Sequence, residues 1–118
     1  MLKKICLIGI CLWGFSANAT CIAGDILQGT ESGTFCISKI QMNWWSAHSW
    51  CKANGGKFAT VTDACLGRLD ACPNLSTLPR RVWLATPFKN TYAWSVKAGG
   101  GFDNGGDRRQ PLWVICTF

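Results

Sequence analysis

The sequence predicts a small α+β domain held by disulfides, and three observations predict it. One stretch carries helical periodicity between a start signal and a stop signal, several short runs are β-prone, and six cysteines follow an export leader.

The leader reads Met1-Leu2-Lys3-Lys4, an apolar run from Ile5 to Phe15, then Ser16-Ala17-Asn18-Ala19. A positive start, an apolar core of about ten residues and an A-x-A site stand in the order a signal peptidase reads, so residues 1–19 are expected to be a signal peptide. A membrane-crossing helix needs about 20 apolar residues, and this run is shorter and followed at once by polar chain. A lipid anchor on Cys21 would want a small residue before the cysteine and an aliphatic one three positions before it. Thr20 and Asn18 fit that poorly. The expectation is a protein that is secreted, periplasmic or displayed at the cell surface, with no stable membrane anchor.

Cleavage after Ala19 leaves residues 20–118, or 99 of the 118, enough for a single domain. Chains of that size bury a modest fraction of their surface and tend to need covalent help. Cys6 and Cys11 depart with the leader, leaving Cys21, Cys36, Cys51, Cys65, Cys72 and Cys116. An even count in an exported chain reads as a disulfide framework. Zinc is the competing use of clustered cysteines, but there is no C-x-x-C pair and His48 is the only histidine, so no metal site is expected.

The stretch from Cys21 to Lys39 is rich in Gly, Thr and Ser, with β-prone pieces at Ile26-Leu27 and Thr34-Phe35-Cys36-Ile37. It predicts an N-terminal strand or hairpin, whose two ends Cys21 and Cys36 are close enough to pin. The clearest helix runs from Trp44 to Asn54. Asn43 is a good N-cap, and Gly55-Gly56 supplies the left-handed stop. At 100° per residue Trp44, Ala47, His48 and Cys51 share one face, with Trp45 and Trp50 on opposite flanks, so one flanking Trp should lie partly at the surface. Lys57 to Val61 reads as extended, and Thr62-Asp63 as the cap of a short second helix. Cys65 and Cys72 enclose a loop tight enough for a local disulfide. Val82 to Thr86, Tyr92 to Val96 and Leu112 to Cys116 read as strands. Ala98 to Asp107, with Gly99-Gly100-Gly101 and Gly105-Gly106, reads as a Gly-rich loop.

This order of elements resembles the C-type lectin-like fold in its compact bacterial and phage form. Three pieces carry the likeness. Asn43 to Val61, with Trp-Cys-Lys-Ala-Asn-Gly-Gly-Lys-Phe-Ala-Thr-Val, looks like the family's first helix and the turn after it. Val82-Trp83-Leu84-Ala85-Thr86 looks like its central strand, and Leu112 to Phe118 like its cysteine-bearing last strand. The resemblance implies one or two short helices packed on short antiparallel strands over residues 20–118. It also implies a Cys51–Cys116 disulfide, which leaves Cys21–Cys36 and Cys65–Cys72 as the other two. A bridge from Cys51 to Cys116 closes a long loop and should stabilise by about 4 kcal/mol. The family's calcium and sugar triplets are missing: Gln110-Pro111-Leu112 matches one of them in two letters only, and no Trp-Asn-Asp occurs. Calcium wants six to eight oxygens. Asp103, Asn104 and Asp107 offer few, and Arg108 and Arg109 beside them oppose a cation.

The remaining residues do not assemble an active site. His48 is the only candidate base, and its place on a helix face suits packing or a rim position. The carboxylates sit in no glycosidase pattern, and the Gly-rich stretch lacks a Gly-Lys-Ser/Thr ending. No cofactor is implied and no enzyme is expected. Ten basic residues against six acidic ones remain after the leader. That excess favours acidic partners such as anionic glycans, phospholipid headgroups or cell-wall polymers, although solubility is the simpler explanation. Arg80-Arg81 and Arg108-Arg109 are isolated pairs, which does not suggest nucleic acid.

What remains is recognition. Trp83, Trp94 and Trp113 lie in strand patterns and should serve the core. The candidate ligand-binding residues are Phe102, Asp103, Asn104, Asp107, Arg108 and Arg109, in the stretch from Lys97 to Gln110, which would display a glycan- or protein-binding surface. A structural role as a minor subunit of a surface appendage or secretion apparatus is the alternative, and a small secreted enzyme ranks last.

Overall fold

The computed structural model describes residues 21–118, without the side chains of residues 104 and 105. The expected signal peptide lies outside the described residues. The chain forms strands β1 (Gly24–Gln28) and β2 (Thr34–Ser38), helix α1 (Trp44–Ala53), strand β3 (Lys57–Phe58) and helix α2 (Val61–Cys65). A 3₁₀ turn (Pro73–Leu75) and strands β4 (Val82–Phe88), β5 (Tyr92–Val96), β6 (Phe102–Asp107) and β7 (Trp113–Thr117) complete it. The architecture is α+β, and its strands lie in the order β1-β2-β7-β4-β5-β6, with β3 also paired to β7.

The period of two along each strand sorts side chains onto opposite faces. Phe35, Ile37, Val82, Leu84, Val96 and Ile115 point to one face, where α2 and the 3₁₀ turn add Val61, Ala64 and Leu75. Cys36, Trp83, Ala93, Val114 and Cys116 point to the other, where α1 adds Trp44, Ala47 and Cys51. The sheet is thus a middle layer buried on both sides.

Strand β7 is its centre. Its second half pairs antiparallel with β2 on one side (Cys36 opposite Cys116) and with β3 on the other (Phe58 opposite Cys116). Its first half pairs with β4. That last pair is parallel, so the sheet is mixed rather than wholly antiparallel as the resemblance implied. A parallel pair needs a long connection, here supplied by β5, β6 and the segment from Arg108 to Leu112. Between β3 and β4, Ala59 continues both ladders: its N–H donates to the Ile115 carbonyl (3.1 Å) and its carbonyl accepts from Ala85 N–H (2.7 Å).

Helix α1 starts as its sequence predicts, with Asn43 Oδ1 accepting from the Ser46 N–H at 2.8 Å. It ends at Asn54, before Gly55 at φ 80°. Helix α2 begins earlier than Thr62-Asp63 suggested. Thr60 is the N-cap, its hydroxyl accepting from Asp63 N–H while the Asp63 carboxylate accepts from Thr60 N–H, both at 3.1 Å. This reciprocal box satisfies two otherwise orphaned donors and draws Val61 out of the extended segment into the helix.

The three disulfides join Cys21 to Cys36, Cys51 to Cys116 and Cys65 to Cys72, with Cα–Cα separations of 5.4, 5.4 and 4.8 Å. The second ties α1 to β7 on the sheet face that α1 covers. A further crosslink is non-covalent. Asn74, fully buried, accepts from the N–H groups of Glu31 (2.7 Å) and Ser32 (2.9 Å) and donates to the carbonyls of Ser32 and Ala64. One amide side chain thereby holds the β1–β2 turn, the 3₁₀ turn and α2 together.

Two stability predictions follow from these ties. Replacing Asn74 by Ala strands two N–H donors and should cost about 3 kcal/mol, read as a lower urea midpoint with unchanged slope. The double variant Cys51→Ala/Cys116→Ala opens the longest covalent loop, spanning 65 positions, and should cost about 4 kcal/mol in the same assay.

Candidate functional site

The candidate surface forms where α1 meets the tip of the β4–β5–β6 meander. Trp44 anchors it: its ring is buried, and its indole N–H donates to the Leu84 carbonyl at 2.9 Å. The Trp44 backbone N–H, one of the helix's orphaned first donors, donates to the Arg108 carbonyl at 2.9 Å. That bond sets Arg108 against the start of the helix. The Arg108 guanidinium lies over Trp44 (4.9 Å to the ring centre) and over Trp45 (5.7 Å), and Trp45 stays 48% exposed. His48 sits edge-on to Trp44 and Phe58, at 4.6 and 4.8 Å between ring centres. Partial burial there lowers its pKa from the usual histidine range.

From the other side the β4–β5 turn closes on the same arginine. Lys89 and Asn90 both adopt left-handed backbone, at φ 45° and 39°, which costs a residue with a Cβ about 1 kcal/mol or more. The turn is held by Tyr92 N–H on the Lys89 carbonyl and by Arg108 N–H on the Thr91 carbonyl, both at 2.8 Å. The Arg108 Nη2 group donates to the Asn90 carbonyl. Arg108 Nε is buried and has no hydrogen-bond acceptor. The indoles of Trp44 and Trp45, edge to face at 6.0 Å between ring centres, provide the electron-rich surface that guanidinium groups favour.

Asp107 lies opposite Tyr92 in the β5–β6 ladder, and Tyr92 is 43% exposed. The Asp107 carboxylate accepts from Arg109 at both oxygens, from Nε at 3.0 Å and Nη2 at 2.6 Å, and from the Arg109 backbone N–H at 3.0 Å. These hydrogen bonds from the Arg109 side chain, then from its backbone, hold the Asp107 pKa down at about 2. A bidentate fork of this kind fixes both planar groups.

The six residues singled out from the sequence therefore do not form one cluster. Asp107, Arg108 and Arg109 meet at the tip. Phe102 instead packs on Trp94, at 5.2 Å between ring centres, and Phe88 packs on the same indole at 5.1 Å. Asp103 pairs with Arg81 at 2.7 Å. The Asn104 side chain lies outside the described residues.

The predicted Gly-rich loop is in large part strand β6, and glycine explains why. Trp83 is wholly buried across the sheet from Gly106, and a Cβ at Gly106 would come within 3.0 Å of the indole. The glycine gives the strand its close approach to that ring rather than freedom to move. Gly100 does remain in a turn, at φ 95°, and a Cβ there would come within 2.4 Å of the Cys72 carbonyl.

Trp45 and Tyr92 were not among the candidates. The helical periodicity leaves one of Trp45 and Trp50 to solvent without choosing between them, and the exposed one is Trp45. Tyr92 sat within a strand pattern with nothing to mark its outward face. Among the described residues no group of His, Cys, Asp or Glu is arranged to hold a metal ion, and no cavity opens. No helix among them is long and apolar enough to cross a membrane. Comparison of the chain with protein-family models, with curated proteins and with solved structures finds no match.

The lowered pKa of Asp107 sets a testable window. Its ordinary value is 3.8, so the fork contributes fully above that pH and is lost as pH falls through about 2. A carboxyl carbon titration by NMR should place the Asp107 midpoint near that lower value, and Arg109→Ala should return it to the ordinary carboxylate range.

Proposed function

We propose that this chain is an exported, non-enzymatic binding module of the C-type lectin-like type, which engages a glycan or protein through the tip surface of Trp45, Tyr92, Asp107, Arg108 and Arg109. The observation that carries the reading is the pair of half-exposed rings held beside planar guanidinium groups on a rigid frame. Exposed Trp, Tyr and Arg are the side chains that dominate recognition surfaces. Fixing them on a capped helix and paired strands lowers the ordering cost of binding. The lectin-like assignment is supported by the element order and by the disulfide from the first helix to the last strand. The export assignment is supported by the leader and by three disulfides, which persist in oxidising compartments.

One observation favours the alternative role as an appendage subunit. Ile22, Ile26 and Ile40 are exposed around β1, which lies at an edge of the sheet. Self-association measured by sedimentation, abolished by Ile26→Lys, is its expected signature.

The binding reading is tested by presenting the oxidised protein to a glycan array and to surface proteins of its own cell. Trp45→Ala and Tyr92→Ala should each weaken the captured interaction about 30-fold, or ~2 kcal/mol, with far-ultraviolet circular dichroism unchanged. Binding that persists in both variants would place the surface elsewhere.

A further inference from the structure

We infer that the ligand of the tip surface is an acidic polysaccharide, a chain of sugar rings bearing carboxylates; this rests on the binding reading above and narrows it. The inference begins with the distribution of charge. All five aspartates are engaged in ion pairs, with Lys39, Lys57, Arg68, Arg80, Arg81 and Arg109. Of the ten basic residues described, that leaves Lys52, Lys89, Lys97 and Arg108 without a carboxylate partner.

Two of these four flank the β4–β5 turn, Lys89 with its ammonium over the Phe88 ring (5.6 Å to the ring centre) and Arg108 with its guanidinium over Trp44 and Trp45. Lys89 opens the β4–β5 turn, and Arg108 donates to the carbonyls of Thr91 and Asn90 in that same turn. The nearest carboxylate in sequence, Asp107, is occupied at both oxygens by Arg109. The tip therefore carries two uncompensated cations and no free carboxylate. Glu31, the one acidic residue outside the ion pairs, lies in the β1–β2 turn, where its N–H is held by Asn74.

The aromatic groups decide the class of anion carrier. Trp45 beside Arg108 and Tyr92 opposite Asp107 present ring surface to solvent, and no cavity opens among the described residues. A bound peptide gains specificity by inserting side chains into pockets along its length, whereas sugar rings can lay their C–H faces on exposed aromatic planes. Carboxylates spaced along the polymer would then meet Arg108 and Lys89. The Arg108 guanidinium, its face covered by indole and its Nη2 group held by the Asn90 carbonyl, keeps its remaining Nη donors for them.

The test uses the full oxidised chain and three probes: polygalacturonate oligomers, neutral dextran oligomers and poly-glutamate. Binding is followed by Trp fluorescence and by calorimetry at low and moderate salt. The expected result is binding of polygalacturonate at least tenfold tighter than of either other probe, weakening as salt screens the cations. Lys89→Gln, which removes one cation and its contact with the Phe88 ring, should weaken polygalacturonate several-fold and reduce the salt dependence. Arg108→Ala should abolish binding and Arg108→Lys restore part of it, with near-ultraviolet circular dichroism reporting whether the fold survives. Equal binding of dextran would overturn the acidic assignment while leaving a glycan module. Preference for poly-glutamate would overturn the glycan assignment while leaving a binding module. Binding of none of the three, with a partner found in the array or cell-surface screen, would overturn this inference alone; no ligand in either experiment would remove both readings.

Discussion

The rest of the structure depends on the last strand. β7 is bonded to β2 and β3 over its second half, to β4 over its first, and to α1 through Cys51–Cys116. Every layer of the domain therefore refers to one five-residue segment. Its alternation places Val114 and Cys116 beneath α1 and Ile115 in the opposite cluster. The strand cannot shift register by one residue without exchanging its side chains between the two cores. The covalent bond adds a second lock on that register, because within β7 only Cys116 brings a sulfur to the face covered by α1. A domain of this size gains little from burial alone. Pinning its central strand both by pairing and by a bond across a long loop is an efficient use of few residues.

The tip surface inherits its rigidity from this arrangement. The segment after β6 must return the chain to the start of β7, and it crosses Trp83 on the way: the Trp83 indole N–H reaches both the Met42 and Gln110 carbonyls, at 3.2 and 3.3 Å. Met42 and Leu112 form a bridge beside it. The return segment is thus pressed between the sheet and the entry to α1. Arg108, at its start, is caught by the helix N-terminus through its carbonyl and by the β4–β5 turn through its N–H and its side chain. Three elements distant in sequence converge on one residue. A guanidinium held this way loses little further freedom on binding, which is the condition for a charged group to contribute net affinity.

Much of this was legible in the sequence, and the parts that were not share a physical cause. Asn43, the α1 face and the Gly55 stop follow local rules, and the structure agrees with them to within a residue. The cysteine pairing came through the likeness of order and spacing, and all three bridges are present. The second helix was misplaced because Thr60 and Thr62 are both plausible caps; only the reciprocal bonds of Thr60 and Asp63 decide between them. The Gly-rich stretch was misread because glycine marks loops on average. At Gly106 it instead answers a tertiary demand, the ring of Trp83 arriving from a strand two positions away in the sheet. Asp103 and Asp107 stand in one candidate surface in the sequence, yet each holds a different arginine, and nothing in a linear pattern announces which partner wins.

The contrast between Asp107 and Arg108 shows how adjacent residues acquire opposite roles. Strand alternation sends Asp107 toward Tyr92, where Arg109 folds back on it and cancels its charge. Arg108 turns the other way, onto the indoles, where it has ring surface and a backbone carbonyl but no anion. The pairing of Arg109 neutralises the carboxylate nearest to Arg108 in sequence. The depressed Asp107 pKa is a consequence of the same fork. The net positive character of the tip is a product of local geometry more than of the chain's overall excess of basic residues.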